Sequence, residues 1–164
     1  MSTVADPARI VVGVDGSGSS IEALRYAATL SEALRRPLDV VTTWVSPMAG
    51  SYYSRGDWPP EDDAKSAQRD AIAGAFGDTP PAGLTTRVVA GPATSTLIEE
   101  SSHASMLVLG SRGHGGFVGL LLGSVSAACA EHAHCPVLIV HAPVREGSGT
   151  PEADTESNHP VRHD

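Results

Sequence analysis

Gly110, Gly113, Gly123 and Ser124 stand in the spacing G-x2-G-x9-G-S. Glycines where an apolar run gives way to a loop let a ligand approach the backbone closely and permit positive φ. Gly123 precedes a stretch of helical spacing, whose first N–H groups lack intrahelical partners. Ser124 and Ser126 add hydroxyls there. Free N–H groups, the positive end of a helix dipole and hydroxyls together make an anion site, and phosphate is its natural ligand. The competing account of the glycines alone is a tight loop that holds nothing. Arg112 and His114 lie in the same loop, either as cations beside a phosphate chain or as solvated side chains.

Loops of this kind need strands and helices to aim them. Ile10–Val14 is a continuous β-branched run, as in a strand buried on both faces. Asp15–Gly18 breaks it, and Ser19 with Glu22 offers a capping box for a helix that Arg35-Arg36-Pro37 closes, with basic residues at its negative end. Leu38–Val45, Leu84–Ala90, Met106–Leu109 and Pro136–His141 read as further strands. Helical patterns over 61–76, 93–102 and 124–134 separate them. The long loop 46–60 is of the functional or mobile kind. Alternation of strand and helix predicts an α/β fold with a largely parallel sheet and helices on both faces. Both unusual loops follow strands and precede helices, so both lie on the edge where such sheets bind ligands.

Residues 1–8 read as a short flexible start and 9–142 as one folded domain. Residues 143–164 carry Arg145 and Arg162 against five acidic residues, with three prolines, and read as a disordered acidic tail. The 164 residues hold 11 Lys and Arg against 19 Asp and Glu, a net charge of −8 that argues against nucleic-acid binding. No stretch has the apolar length of a membrane span and residues 1–7 lack a signal-peptide pattern, so the expectation is a cytoplasmic protein. Lys65 is the single lysine and follows no glycine of the loop, which excludes a P-loop. Gly13, Gly16 and Gly18 miss the dinucleotide spacing, and Thr42–Ser46 offers no carboxylate for a ribose. Cys129, His132, His134 and Cys135 have the residue types of a zinc site. A helix and the start of a strand cannot easily bring them to one tetrahedron, and buried cysteines are the better account.

The glycine spacing, the opening Val11–Ser17, the turn Gly91-Pro92 and the closing Cys135–Val140 occur in the order seen in the universal stress protein family, which the chain resembles over 9–142. The resemblance implies a Rossmann-like, adenine nucleotide alpha hydrolase-like sheet of five parallel strands ordered 3-2-1-4-5. In the motif-bearing branch it also implies ATP binding, with Mg or Mn on the phosphates. It places Gly110, Gly113, Gly123 and Ser124 around phosphates and ribose. Val125 and Ser126 add backbone or hydroxyl contacts, Asp15 lies near the nucleoside, and the backbone of Trp44 meets adenine. Asp15 suits that role, because a carboxylate accepts from ribose hydroxyls or an adenine amine. It also suits a turn cap that accepts from Ser17. The expected function is a nucleotide-dependent stress regulator. Cyclic AMP binding and slow ATP hydrolysis or nucleotidyl transfer are the alternatives. No G-x-S-x-G or H-E-x-x-H pattern supports catalysis. The family strand order puts Val137–Val140 at a sheet edge, which predicts a homodimer through the last strand.

Overall fold

The computed structural model describes residues 8–45, 60–114 and 121–143. The expected flexible start before residue 8, the loop 46–59, the loop residues 115–120 and the acidic tail from 144 lie outside the described residues.

Among the described residues five strands alternate with four helices. They are β1 (Ile10–Gly13), α1 (Gly18–Leu34), β2 (Leu38–Trp44), α2 (Pro60–Phe76), β3 (Leu84–Ala90), α3 (Ala93–Ser101), β4 (Met106–Gly110), α4 (Ser124–His132) and β5 (Val137–Val140). The sheet is parallel throughout and ordered β3-β2-β1-β4-β5. Strand alternation sorts the apolar side chains into two layers. Ile10, Val12, Leu38, Val40 and Val108 pack under α1 and α2 with Leu24, Ala27 and Ala71. Val11, Val41, Leu107 and Leu109 pack under α3 and α4 with Leu97 and Cys129. Both faces of the central strands are therefore covered, and β1 is buried at every position. Cys129 and Cys135 belong to the second layer, where burial pushes both thiols above the ordinary range.

One buried polar group holds the first layer together. Gln68 of α2 donates from Nε2 to the Val40 carbonyl at 3.1 Å and the Arg87 carbonyl at 2.9 Å. It thereby ties α2 to β2 and β3 and satisfies a side chain that burial would otherwise leave without water.

The amino end of α1 differs from expectation, while Arg35 and Arg36 close the other end as expected. The capping box of Ser19 with Glu22 is not formed. Ser17 is the N-cap, and its Oγ accepts from the Ser20 N–H at 3.3 Å. Gly16, at φ +86°, turns the chain early enough to place Ser17 there, and Glu22 pairs with Arg25 instead. At the other end no basic residue occupies the last turn. Arg35 is left-handed (φ 51°, ψ 49°), and the N–H groups of Arg35 and Arg36 close the helix on the Glu32 and Ser31 carbonyls at 3.2 and 3.0 Å.

Candidate functional site

A cavity of about 570 Å³ opens at the carboxyl edge of the sheet. That volume falls in the range of about 300–1,000 Å³ that small-molecule sites occupy. Its walls come from the ends of β1, β2 and β4 and the N-terminal turns of α1, α3 and α4. Order β3-β2-β1-β4-β5 reverses direction between β1 and β4, and crevices form where strand order reverses. Two loops converge there, Asp15–Ser17 after β1 and Ser111–His114 after β4.

The expected glycines meet at this edge, each for its own reason. A Cβ on Gly110 would stand 2.5 Å from Ser19 Oγ and 2.6 Å from the Ser19 carbonyl carbon, so β4 ends jammed against α1. A Cβ on Gly113 would stand 2.7 Å from Asp15 Oδ2. Around Gly123 the nearest atom to a Cβ would be Arg112 Cα at 3.5 Å, which is ordinary contact. The positive φ expected of Gly110 and Gly113 is absent; close approach alone excludes side chains there.

Asp15 is held by the protein itself. Its Oδ1 accepts from the Ser17 N–H at 2.9 Å and from the Ser17 hydroxyl at 2.6 Å. Its Oδ2 accepts from the His114 N–H at 3.2 Å. The turn cap on Ser17 is thus formed, and the second oxygen also ties the two loops together. Burial opposes the charge, but these hydrogen bonds outweigh it and hold the carboxyl below its ordinary range.

Gly123 is the N-cap of α4, and its N–H donates to the Ser111 carbonyl at 2.7 Å. Ser126 also lines the cavity, and its hydroxyl donates to the scaffold. It is buried, and its Oγ shares its proton between the Ser111 and Gly123 carbonyls, each at 3.0 Å. Ser124 is exposed, and Ser124 and Val125 both line the cavity. The N–H groups of this first turn have no intrahelical acceptor and face the opening. Arg112 and His114 also line the cavity and are exposed.

Trp44 is not among the lining residues. Val41 and Thr43 line the cavity instead, and alternation turns the Trp44 side chain to the opposite face of β2. The Trp44 carbonyl accepts from the Gly91 N–H at 2.8 Å. Sequence reading also missed Leu97, Leu109 and Ser20 on the walls.

Fold and cavity together define a parallel α/β domain with an open cavity at the carboxyl edge of its sheet. The chain belongs to the universal stress protein family, whose model matches residues 8–141. It is 36% identical over 135 residues to the universal stress protein Rv2623 of Mycobacterium tuberculosis, an alignment covering 80% of this chain and 44% of that one. The chain therefore spans less than half the length of such curated relatives. Among solved structures it resembles a universal stress protein crystallised in complex with cAMP. The identity is 29% and the TM-score 0.55, over 82% of this chain and 97% of that one. It shares its fold with a universal stress protein UspA from Lactobacillus plantarum at 20% identity and a TM-score of 0.62, over 83% and 99% of the two chains.

Proposed function

We propose that the chain binds ATP in this cavity and acts in the cytoplasm as a nucleotide-dependent regulator of a stress response. The observation that carries the reading is convergence. The G-x2-G-x9-G-S glycines and the first turn of α4 meet on one 570 Å³ cavity at the carboxyl edge of the sheet. In this reading the N–H groups of Ser124, Val125 and Ser126 take the phosphates, Arg112 supplies a cation, and His114 lies beside them on the loop. Val41, Leu97 and Leu109 offer an apolar wall for the base. Asp15 sits beside the nucleoside, and Trp44 contributes through its backbone. Asp15 is the only carboxylate on the cavity among the described residues, and it already accepts three hydrogen bonds. A Mg or Mn ion would therefore travel on the phosphates rather than on a protein site.

Cyclic AMP is the second reading, favoured by the 29%-identical universal stress protein crystallised in complex with cAMP. The base and ribose contacts would be shared, and only the phosphate end differs. Mass analysis of the nucleotide released by denaturing freshly purified protein, followed by calorimetric titration with ATP and cAMP, decides between them. ATP in the released fraction with tighter ATP binding is expected. Tighter cAMP binding moves the protein to the second reading, and binding of neither sinks both.

We further propose a homodimer through β5. Val137, Leu138 and Ile139 are half-buried on an edge strand, and an apolar edge invites pairing with a second copy. Light scattering at micromolar concentration should show a dimer that survives deletion of 143–164. A monomer alone rejects it.

A further inference from the structure

We infer that Ser19 is a positioning residue, whose hydroxyl sets the distance between the glycine loop and the phosphate-facing turn of α4. The inference rests on the nucleotide reading of the site. Ser19 lies in the first turn of α1 and is buried. Its Oγ accepts from the Arg112 N–H at 3.3 Å and donates to the Arg112 carbonyl. One hydroxyl thus serves both polar groups of one residue in the loop. Beneath it Gly110 leaves no room for the loop to retreat, because even a Cβ there would collide with the Ser19 backbone.

The neighbouring residue carries the link onward. The Ser111 N–H donates to the Val140 carbonyl of β5 at 2.8 Å, while its carbonyl accepts from the Gly123 N–H and the Ser126 hydroxyl of α4. Residues 111 and 112 are therefore gripped by α1, β5 and α4 at once. On the α1 side Ser19 grips both polar groups of Arg112, and the Ser17 hydroxyl is a second donor to the Arg112 carbonyl at 3.2 Å. Without its hydroxyl the Arg112 N–H loses its acceptor, the loop can shift, and Ser111 carries that shift to Gly123. The phosphate end of the cavity loosens while the apolar wall of Val41, Leu97 and Leu109 stays in place.

The test compares ATP with adenosine, which has the same base and ribose and no phosphate. Ser19→Ala should weaken ATP binding about tenfold, the loss expected for a hydrogen bond to a buried peptide group. Adenosine affinity should change less than about twofold. In the ligand-free protein, amide exchange at Arg112 should quicken severalfold. Ser19→Cys, which keeps a weak donor at the same place, should fall between wild type and Ser19→Ala and guards against a misfolded alanine variant. Equal losses for ATP and adenosine, or a lowered melting temperature with both affinities intact, would reduce Ser19 to a purely structural role and overturn the inference. Wild-type protein that binds neither compound defeats the nucleotide reading and the positioning role with it. Wild-type binding of both, unchanged in a Ser19→Ala protein with unchanged Arg112 exchange, defeats the positioning role alone.

Discussion

The two ends of the strands are built from opposite materials. At the carboxyl end, glycines and serines surround an open cavity, and backbone N–H groups face it. Toward the amino end, four charged side chains close on one another. Asp39 is buried on β2, and its Oδ2 accepts from Arg87 Nε at 2.9 Å and Nη2 at 2.7 Å. Arg87 also reaches Glu100 at 2.9 and 2.5 Å, and Arg9 donates to Glu100 at 2.8 Å. The pair of ends is spanned by α3. Its last turn carries Glu100 into the charged cluster, while Ala93 and Leu97 wall the cavity. One end is thus tied by specific ion pairs, and the other leaves the first-turn N–H groups of α4 without an intrahelical acceptor at an open cavity. Arg9 Nε is buried without a hydrogen bond among the described residues and lies 3.7 Å from Asp39 Oδ2, so the cluster is electrostatically tight though imperfectly paired.

The sharpest way to break this division is at Gly123. Gly123→Val should lower ATP affinity at least about a hundredfold, near 3 kcal/mol, because the added methyls enter the phosphate path. The fold should tolerate it, since a Cβ there meets nothing closer than 3.5 Å. Titration beside a circular dichroism melt checks both halves. A folded variant with full affinity would remove the phosphates from this turn.

The mirror experiment is Asp39→Ala. It leaves Arg87 and Arg9 sharing one carboxylate in a part-buried cluster, and should cost about 2–3 kcal/mol of stability. ATP affinity should stay within about twofold when measured well below the melt. A large affinity loss would mean that the amino end tunes the cavity through α3, and that the two ends are not separate.

Acid should also divide the ends. The Arg87 hydrogen bonds hold the Glu100 carboxyl below its ordinary range against an opposing burial cost, and Arg87 is raised in turn. Asp15 is depressed as well, with burial opposing and the Ser17 hydrogen bonds prevailing. A depressed carboxyl contributes stability that is complete above its unfolded pKa, about 4, and is lost as pH falls through the lower folded value. Denaturant melts from pH 6 to pH 2 should therefore show stability falling below about pH 4. Glu100→Gln should flatten that fall more than Asp15→Asn, because Glu100 accepts from charged guanidinium groups and Asp15 from neutral donors. Equal flattening would place as much ionic stabilisation at the cavity as in the cluster.

The smallest expected effect is on turnover. The cavity offers backbone N–H groups and the Arg112 guanidinium, which would hold a ground-state triphosphate about as well as a transition state, and uniform binding yields no rate. Phosphate release under saturating ATP with Mg²⁺ or Mn²⁺ should stay well below ~0.01 per second, with Gly123→Val as the contamination control. Asp15→Asn should change affinity more than rate. A rapid release that Gly123→Val abolishes would make the protein an enzyme.

Much of this molecule is legible along the chain. The apolar runs Ile10–Val14 and Met106–Leu109 announce strands covered on both faces, because residues apolar at every position cannot turn one side to water. The glycine spacing likewise announces a loop that ends on a helix N-terminus. Strand boundaries followed closely for the same reason, with differences of one or two residues at their ends.

What the chain alone could not specify was which partner each polar group would take. Asp15 and Ser126 have the chemistry of ligand contacts, yet both spend hydrogen bonds on the scaffold. Ser19 was read as a cap and instead bridges 93 positions to Arg112. Asp39, Arg87 and Glu100 look like scattered surface charges until the β2–β3 register sets Asp39 beside Thr85 and the return of α3 brings Glu100 back to them. Local propensity and periodicity depend on neighbours a few residues away, so sequence determined the elements and the loop that bears the motif. Hydrogen-bond partners depend on distances set by sheet register and helix return, so only the tertiary structure decided which hydroxyls face a ligand and which hold the site in shape.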